Sequence, residues 1–187
     1  MDPRVERSRL VIRRAALELL GEAGYGALTI ESVAHRAGVA RSTIYRHWPD
    51  KLALIADAFE TFHEHMVPNV ATGTARERVE SLARHVAEIV VDSLFSVCIP
   101  ALIEGAERDP RVREFHHRYS SERRQGLVQV IAEGVTSGEF PAHVNPELAA
   151  QALLGVIFYR RLMSSVPFDP AHTTELVNSV LGTPQAR

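Results

Sequence analysis

One short segment constrains this chain more than any other, because it joins two helical patterns through a glycine. In the first pattern, residues 28–37, Thr29 can cap the helix with its hydroxyl, while Val33 and Ala34 share an apolar face. Gly38 follows at the point where two steeply crossing helices need a residue with positive φ. The segment therefore predicts a helix-turn-helix.

The second helix of this pair has an outward face rich in hydrogen-bond donors. Val39 and Ile44 supply its buried contacts. The side chains left outside are Arg41, Ser42, Thr43, Tyr45 and Arg46. Guanidinium and hydroxyl groups bind phosphates and the edges of DNA bases, and a purely structural helical hairpin has no need of them. This face predicts contact with double-stranded DNA.

The same residues resemble the tetracycline-repressor (TetR) family of transcription factors. Three runs have the family's order and spacing: Ala37-Gly38-Val39, Ser42-Thr43-Ile44-Tyr45-Arg46-His47-Trp48 and Pro49-Asp50-Lys51-Leu52-Ala53-Leu54. The resemblance is specific over residues 8–55 and architectural beyond them. Ala40 departs from the pattern, since a capping serine is common there, and so does Trp48, where phenylalanine is common. Neither departure removes a phosphate donor.

The resemblance implies an all-α fold in two parts. A three-helix DNA-binding head with the helix-turn-helix occupies residues 1–50, and a helical effector-binding and dimerisation domain occupies residues 51–187. The implied function is sequence-specific regulation of transcription, with the protein acting as a repressor that a small organic ligand releases from its operator. Activation and corepression stay open as alternatives.

If the second helix lies in a major groove of DNA, the residues that contact the bases can be named. That helix then presents Arg41 and Ser42 to base edges, with Arg46 reaching either bases or backbone. Arg41 is the first candidate for sequence specificity, because arginine can bind guanine through two parallel hydrogen bonds. The positions that hold phosphates in the family are occupied here by Thr29, Thr43, Tyr45, His47 and Lys51.

Helix-starting signals recur along the rest of the chain. Apolar periodicity predicts a first helix over residues 7–23. The predicted helix caps are Asp50, Thr74 with Glu77 as a capping box, Asp109, Asn145 and Asp169, the last three each followed by proline. The last three predict helices over residues 112–135, 147–163 and 171–181. No alternation of apolar and polar residues typical of a strand is found.

The segment 152–158 is apolar on every side, and such a helix must be buried on two faces. The resemblance implies that the last two helices pair with their copies in the four-helix bundle of a homodimer. The residues expected there are Leu153, Val156, Ile157, Leu176 and Val180. A two-fold protein also fits a palindromic operator. The alternative is a helix at the centre of a monomer.

The resemblance further implies a ligand cavity among the middle helices, whose occupant moves the helix that follows the head. The residues expected to line it are Phe59, Phe62, His63, Met66, Ile89, Phe95, Cys98, Leu102, Phe115, His116 and Tyr119. Apolar residues at helical spacing are more often packing than pocket, so about a third of them are expected to touch ligand. The polar members favour an organic effector with one or two hydrogen-bonding groups.

The distribution of charge, the apolar runs and the cysteine content together predict where in the cell the protein is found. Residues 1–51 carry nine Lys and Arg against six Asp and Glu, and the remainder carries twelve against seventeen. A basic head on an acidic body suits a protein that presents one end to a polyanion, although ordinary surface variation gives the same pattern. No apolar run is long enough to span a membrane, no secretory signal is present, and Cys98 is the only cysteine. A cytoplasmic protein without membrane contact is expected.

Other function classes have less support. The nine histidines and Cys98 raise the alternative of a metal or redox sensor, but no His-x-x-x-His pair occurs and apolar residues flank the cysteine. No Gly-x-Ser-x-Gly elbow, phosphate-binding glycine loop or dinucleotide fingerprint is found, so neither an enzyme nor a cofactor is expected. Another alternative is a TetR-like interaction module that has lost operator binding.

Overall fold

The computed structural model describes residues 3–64, 72–91 and 93–183 of the chain, without the side chains of residues 3, 4 and 62–64. This part of the chain is helical and contains no strand, so the all-α prediction is confirmed. Its helices are α1 (Pro3–Ala27), α2 (Ile30–Ala37), α3 (Arg41–Tyr45), α4 (Lys51–Glu64), α5 (Ala75–Val91), α6 (Leu94–Arg108), α7 (Pro110–Thr136), α8 (Pro146–Met163) and α9 (Thr173–Leu181). One 3₁₀ turn, Pro170–His172, precedes α9.

The helices form two compact units. The first contains Met1–Met66 and Leu94–Arg118, and the second contains Val67–Ser93 and Tyr119–Arg187. By packing, α4 and α6 therefore belong with the three helices of the predicted head. The functional division between residues 50 and 51 is a separate matter and stays a prediction.

In the first unit α1 is the central helix, and it packs against α2, α4 and α6. Its buried face includes Ile12, Ala16, Leu17 and Leu20. Gly21 lets α6 approach, because a Cβ at this position would lie 2.7 Å from the Cγ2 atom of Val97. The regular helix breaks at Gly24 (φ 80°), directly after the predicted end at Ala23.

The second unit has its own hydrophobic core, to which α5, α7, α8 and α9 contribute. The fully buried members include Val79, Ile131, Phe140, Ala150, Leu153, Val177 and Leu181. The Phe140 ring lies over Gly134 of α7, and a Cβ on that glycine would be only 2.3 Å from the ring. The core therefore depends on the absence of a side chain at Gly134.

Side chains cap the helices where the sequence predicts. At the start of α5 the Thr74 hydroxyl accepts from the Glu77 amide (3.2 Å), and the Glu77 carboxylate accepts from the Thr74 amide (2.9 Å). Asn145 accepts a backbone amide hydrogen bond at the start of α8 (3.0 Å). Asp169 caps the 3₁₀ turn, so α9 begins two residues later than the predicted residue 171.

α6 is a helix for which the capping signals predict no start. Pro100 lies inside it, and proline ordinarily ends a helix because it lacks an amide donor. The buried residues of α6 include Ile99 and Leu102, and the helix packs against α1. Burial of this apolar face thus outweighs the unfavourable local signal.

The apolar residues of α8 are divided between the interior and the surface. Leu153 and Ile157, both expected in a dimer interface, are fully buried within the chain itself. Val156 is exposed, and so are Tyr159 and Met163 further along the helix. The expectation for Leu153 and Ile157 is corrected accordingly, because a side chain already packed inside its own chain cannot also face a partner.

Within the described ranges, no single helix is long and apolar enough to cross a membrane. Only α5 and α6, counted together as one broken segment, reach the required length and hydropathy.

Candidate nucleic-acid interface

α2 begins at a side-chain cap that the sequence predicts. The Thr29 hydroxyl accepts from the Ser32 amide (3.0 Å), and the Ser32 hydroxyl accepts from the Thr29 amide (3.1 Å). At the other end Gly38 adopts φ 65°, and the Val39 amide donates back to the Ala34 carbonyl (3.0 Å). Both ends of α2 are thereby fixed, and the turn places α3 against it.

α3 is short, and its buried residue is Ile44. Ile44 is fully buried, and its carbonyl accepts hydrogen bonds from the amides of His47 and Trp48, each at 2.9 Å. Ala40 precedes the helix without a side-chain cap. The backbone that leaves α3 is therefore tied directly to the buried anchor of the helix.

The predicted reading residues lie on the surface of this helix and the turn after it. Arg41, Ser42, Tyr45, Arg46 and His47 are exposed, and Thr43 is half-buried. The Arg41 side chain is 64% exposed and its NH1 atom lies 3.8 Å from the Glu31 carboxylate. A long, loosely paired guanidinium can leave such a partner for a base edge at little cost. Contact with DNA by these residues stays a prediction.

Lys51 differs from the other predicted phosphate contacts. Its ammonium donates to the carbonyls of Tyr25 (2.8 Å) and Leu28 (3.1 Å), and it lies 4.2 Å from the centre of the Tyr25 ring. Two of its three donors are therefore used inside the protein. Lys51 ties the start of α4 to the end of α1 and has one donor left for a phosphate.

A shallow depression of about 430 Å³ opens beside the start of α2. Its rim includes Thr29, Arg41, Tyr45 and Lys51, four of the predicted DNA contacts. The first amides of a helix and its dipole favour an anion at this end. The lining also contains the carboxylates of Glu31 and Asp50. The depression thus places two cations, Arg41 and Lys51, near the amides at the start of α2.

A partly buried polar cluster that the sequence reasoning missed joins α1, α4 and the turn that leaves α3. Asp57 of α4 accepts hydrogen bonds from the Trp48 indole (2.7 Å) and the Arg13 guanidinium (2.8 Å) through the same carboxylate oxygen. Trp48 and Arg13 are only 3% and 4% exposed. Burial is the largest single influence and by itself raises the pKa of the Asp57 carboxyl, but the hydrogen bonds from Arg13 and Trp48 and the charges of Arg13 and Arg9 together lower the pKa. The one available sequence signal was tryptophan at a position where the family commonly has phenylalanine.

A second carboxylate ties the start of α4 to the start of α7. Asp50 accepts from the Ala53 amide (2.9 Å) as the predicted cap, and it also accepts from the Arg111 guanidinium (2.5 Å). The hydrogen bond from Arg111 lowers the pKa of the Asp50 carboxyl. This ion pair connects the cap of α4 to a helix outside the three-helix DNA-binding head.

The residues expected to line a ligand cavity fall in both units. In the first unit Phe59 packs edge-on against Phe95 (ring centres 4.6 Å apart) and Phe115 (6.0 Å), and Cys98 and Leu102 are buried. His116 is half-buried, and burial lowers its pKa. Ile89 and Tyr119 belong to the second unit. The side chains of Phe62 and His63, and all of Met66, lie outside the described residues. A shared cavity stays a prediction.

Cys98 is predicted to be unreactive in the folded protein. Its thiol is fully buried and donates to the Leu17 carbonyl (3.1 Å), and burial raises its pKa to about 12. Since the thiolate is the reactive form, we expect no modification by a thiol reagent at pH 8 under native conditions and complete modification in urea. Stoichiometric labelling of the native protein would contradict this and would revive the redox alternative.

The described residues contain no group of three or more His, Cys, Asp or Glu side chains able to hold a metal ion.

Two family models match this chain. The model described as bacterial regulatory proteins, tetR family, matches residues 12–58, and the model described as tetracyclin repressor-like, C-terminal domain, matches residues 70–180. Among similar proteins, the HTH-type transcriptional regulator YdeS of Bacillus subtilis (strain 168) is 29% identical over 185 residues, covering 98% of this chain and 93% of YdeS.

Solved structures share the fold. FadR from Bacillus subtilis, a transcriptional regulator solved in complex with stearoyl-CoA, superposes with a TM-score of 0.76 at 23% identity, covering 92% of this chain and 98% of FadR. GusR from Salmonella enterica superposes with a TM-score of 0.77 at 20% identity and covers 98% of both chains. At these identities the likeness speaks for the fold alone.

Proposed function

The chain belongs to the TetR family of bacterial regulatory proteins, and from this premise we propose that it represses transcription by binding an operator until a small organic ligand releases it. As a member of this family it is a DNA-binding transcriptional regulator. The observation that carries the finer proposal is the outward face of α3, where guanidinium, hydroxyl and phenol groups lie together on the surface. Such a face offers donors both to phosphates and to base edges.

We propose that binding to DNA uses two kinds of contact. Arg41 and Ser42 face the bases, with Arg46 able to reach either bases or backbone. The phosphates are held around the depression beside α2 and along the outer surface of the turn, by Thr29, Thr43, Tyr45, His47 and the remaining donor of Lys51. This division assigns sequence specificity chiefly to Arg41. It assigns the salt-dependent attraction to the whole face.

The experiment that tests this proposal has two steps. A random duplex pool is first selected against the full-length protein, and the enriched duplex is then titrated at 50 and 200 mM salt with random DNA as competitor. With about three cationic contacts per protomer of a dimer, affinity should fall about a thousandfold over this range. Enrichment of one sequence, resistant to competitor, supports the proposal. A pool that does not enrich supports the alternative of an interaction module without operator binding.

We propose a homodimer formed through α8 and α9, and a palindromic operator to match its two-fold symmetry. An exposed apolar stripe along α8 supports the dimer: Leu148, Val156, Tyr159 and Met163. On α9 the two expected residues, Leu176 and Val180, are half-buried and retain surface for a partner. Such a stripe is typical of a surface that a second chain covers.

The dimer proposal predicts that charges on this stripe separate the protomers. We expect Tyr159→Glu combined with Met163→Glu to give monomers in sedimentation analysis and to weaken operator binding, because each head alone makes half of the contacts. Val11→Glu is the matched control, since Val11 is an exposed valine on α1 in the first unit. A double variant that sediments as the wild-type dimer would exclude this face.

We propose that the effector is an organic molecule with an apolar body. Phe59 and the two phenylalanines that pack against it, Phe95 and Phe115, supply aromatic surface in the first unit, and Leu102 supplies aliphatic surface. FadR, which shares this fold, is solved in complex with stearoyl-CoA, and this supports the proposal. A ligand lowers operator occupancy only as far as it favours the conformation that does not fit the operator. We propose no catalytic activity and no cofactor, and we place the protein with its DNA in the cytoplasm.

A further inference from the structure

We propose, resting on the DNA-binding function above, that Asp57 is a positioning residue for operator recognition, because its hydrogen bond to Trp48 sets the placement of α3. Asp57 itself is on α4, outside the helix-turn-helix. Its carboxylate joins three elements: α4, the turn that leaves α3, and α1. This cluster thereby has a role in recognition that the exposed face of α3 alone does not show.

A short chain of hydrogen bonds leads from Asp57 to α3. The indole N–H of Trp48 donates to Asp57 at 2.7 Å, and the Trp48 amide donates to the carbonyl of Ile44 at 2.9 Å. Ile44 is the buried anchor of α3. Two consecutive hydrogen bonds therefore connect the carboxylate of α4 to the backbone of the reading helix.

Asp57 also binds α1, through Arg13. The Arg13 guanidinium donates to the same oxygen of Asp57 at 2.8 Å and to Glu6 at 3.0 Å. The guanidinium carbons of Arg13 and Arg9 also lie 5.9 and 5.8 Å from the centre of the Trp48 ring. The indole is thus held at its edge by a carboxylate and near its face by two cations.

This cluster differs from ordinary apolar packing because it contains a directional hydrogen bond. A phenylalanine in place of Trp48 could fill the same apolar space, yet it would leave the ring free to slide because it has no donor. A charge-assisted hydrogen bond is directional and is among the stronger ones in proteins. It therefore fixes the register between α3 and α4, which apolar contact by itself does not.

The test removes the hydrogen bond and compares two DNA affinities. Trp48→Phe keeps most of the ring and leaves the Arg13–Asp57 ion pair in place. At a temperature where the variant is fully folded, we expect its affinity for the selected duplex to fall about tenfold and its affinity for random duplex to stay unchanged. Attraction to phosphates tolerates a small rotation of α3, whereas paired hydrogen bonds to a base do not.

A matched control separates positioning from stability. Ile55→Val loosens a fully buried contact on the same helix without touching the cluster, and we expect it to lower the thermal midpoint while keeping the ratio of the two affinities. Asp57→Asn is the second variant. It removes the carboxylate charge, and we expect a fall in the ratio at least as large as for Trp48→Phe. A wild-type ratio in both folded variants would overturn the proposal.

The wild-type protein provides a readout that needs no variant. The chain has one tryptophan, so its indole N–H gives a single NMR resonance. We expect this proton to be protected from exchange in the free protein and in the complex with the selected duplex. Exchange as fast as that of free tryptophan in the complex would overturn the proposal. A pool that does not enrich for the wild-type protein would instead count against the DNA-binding function itself.

Discussion

Gly134→Ala lowers the free energy of unfolding by about 1–3 kcal/mol, the usual cost of forcing an extra carbon into a packed core. The new Cβ would lie 2.3 Å and 2.4 Å from two carbons of the Phe140 ring and 2.9 Å from the Cβ of Ala75. The ring cannot simply move away, because it is 1% exposed and the Arg76 guanidinium carbon lies 5.4 Å from its centre. Crowding therefore exceeds the gain from alanine's better helix propensity.

Gly126→Ala, in the same helix, is the matched control. Apart from the backbone of its own helix and its chain neighbours, none of the described atoms lies within 4 Å of a Cβ built there. We expect this variant to be more stable than the wild type by about 0.5–1 kcal/mol, because alanine loses less backbone freedom in a helix than glycine does. Urea unfolding followed by circular dichroism measures both. If Gly134→Ala proves as stable as Gly126→Ala, the Phe140 packing is not as described. Phe140→Leu added to Gly134→Ala should recover part of the loss.

Arg41→Ala reduces affinity for the selected operator by about 1–3 kcal/mol and leaves affinity for random DNA within about twofold of the wild type. The loss is selective because a bidentate contact to guanine exists only on the preferred sequence. The side chain is largely exposed and its loose partner, Glu31, is exposed as well, so the substitution should not disturb folding. Fluorescence anisotropy with the two duplexes gives both affinities.

The matched control for Arg41 is another exposed arginine of the head. Arg14 lies on α1, is 71% exposed in its side chain and pairs with Glu18. Arg14→Ala removes the same charge, so we expect a small and equal change on both duplexes. An equal loss on operator and random DNA with Arg41→Ala would assign Arg41 to the phosphates and leave base reading to Ser42 or Arg46.

Local signals in the sequence predicted the helix-turn-helix and several helix starts. Thr29, Thr74 and Asn145 cap the helices that they were expected to cap, and Gly38 has the positive φ that the turn needs. These features depend on hydrogen bonds between residues a few positions apart. The residue types alone are therefore enough to predict them. α6 could not be found this way, since its stability comes from burial against α1 and not from its ends.

The candidate site likewise combines features that local sequence signals predict with contacts between distant residues that they do not. The exposed donors of α3 follow from helical periodicity once the buried Ile44 is known. The predicted role of Lys51 was incomplete, because the carbonyls of Tyr25 and Leu28 that bind its ammonium come from residues more than twenty positions away. The pairing of Arg13 with Asp57 spans 44 positions and leaves no periodic trace in the sequence.

By itself the sequence determined the all-α architecture and the family and predicted the face proposed to meet DNA, because each follows from local periodicity, caps and a short run of residues. Only the tertiary structure decided which apolar residues of α8 are buried within the chain. It also decided which carboxylate holds Trp48 and Arg13, and which glycine must lack a side chain. The physical reason is that packing and buried hydrogen bonds join residues distant in the chain, and their partners are chosen by the three-dimensional path of the backbone.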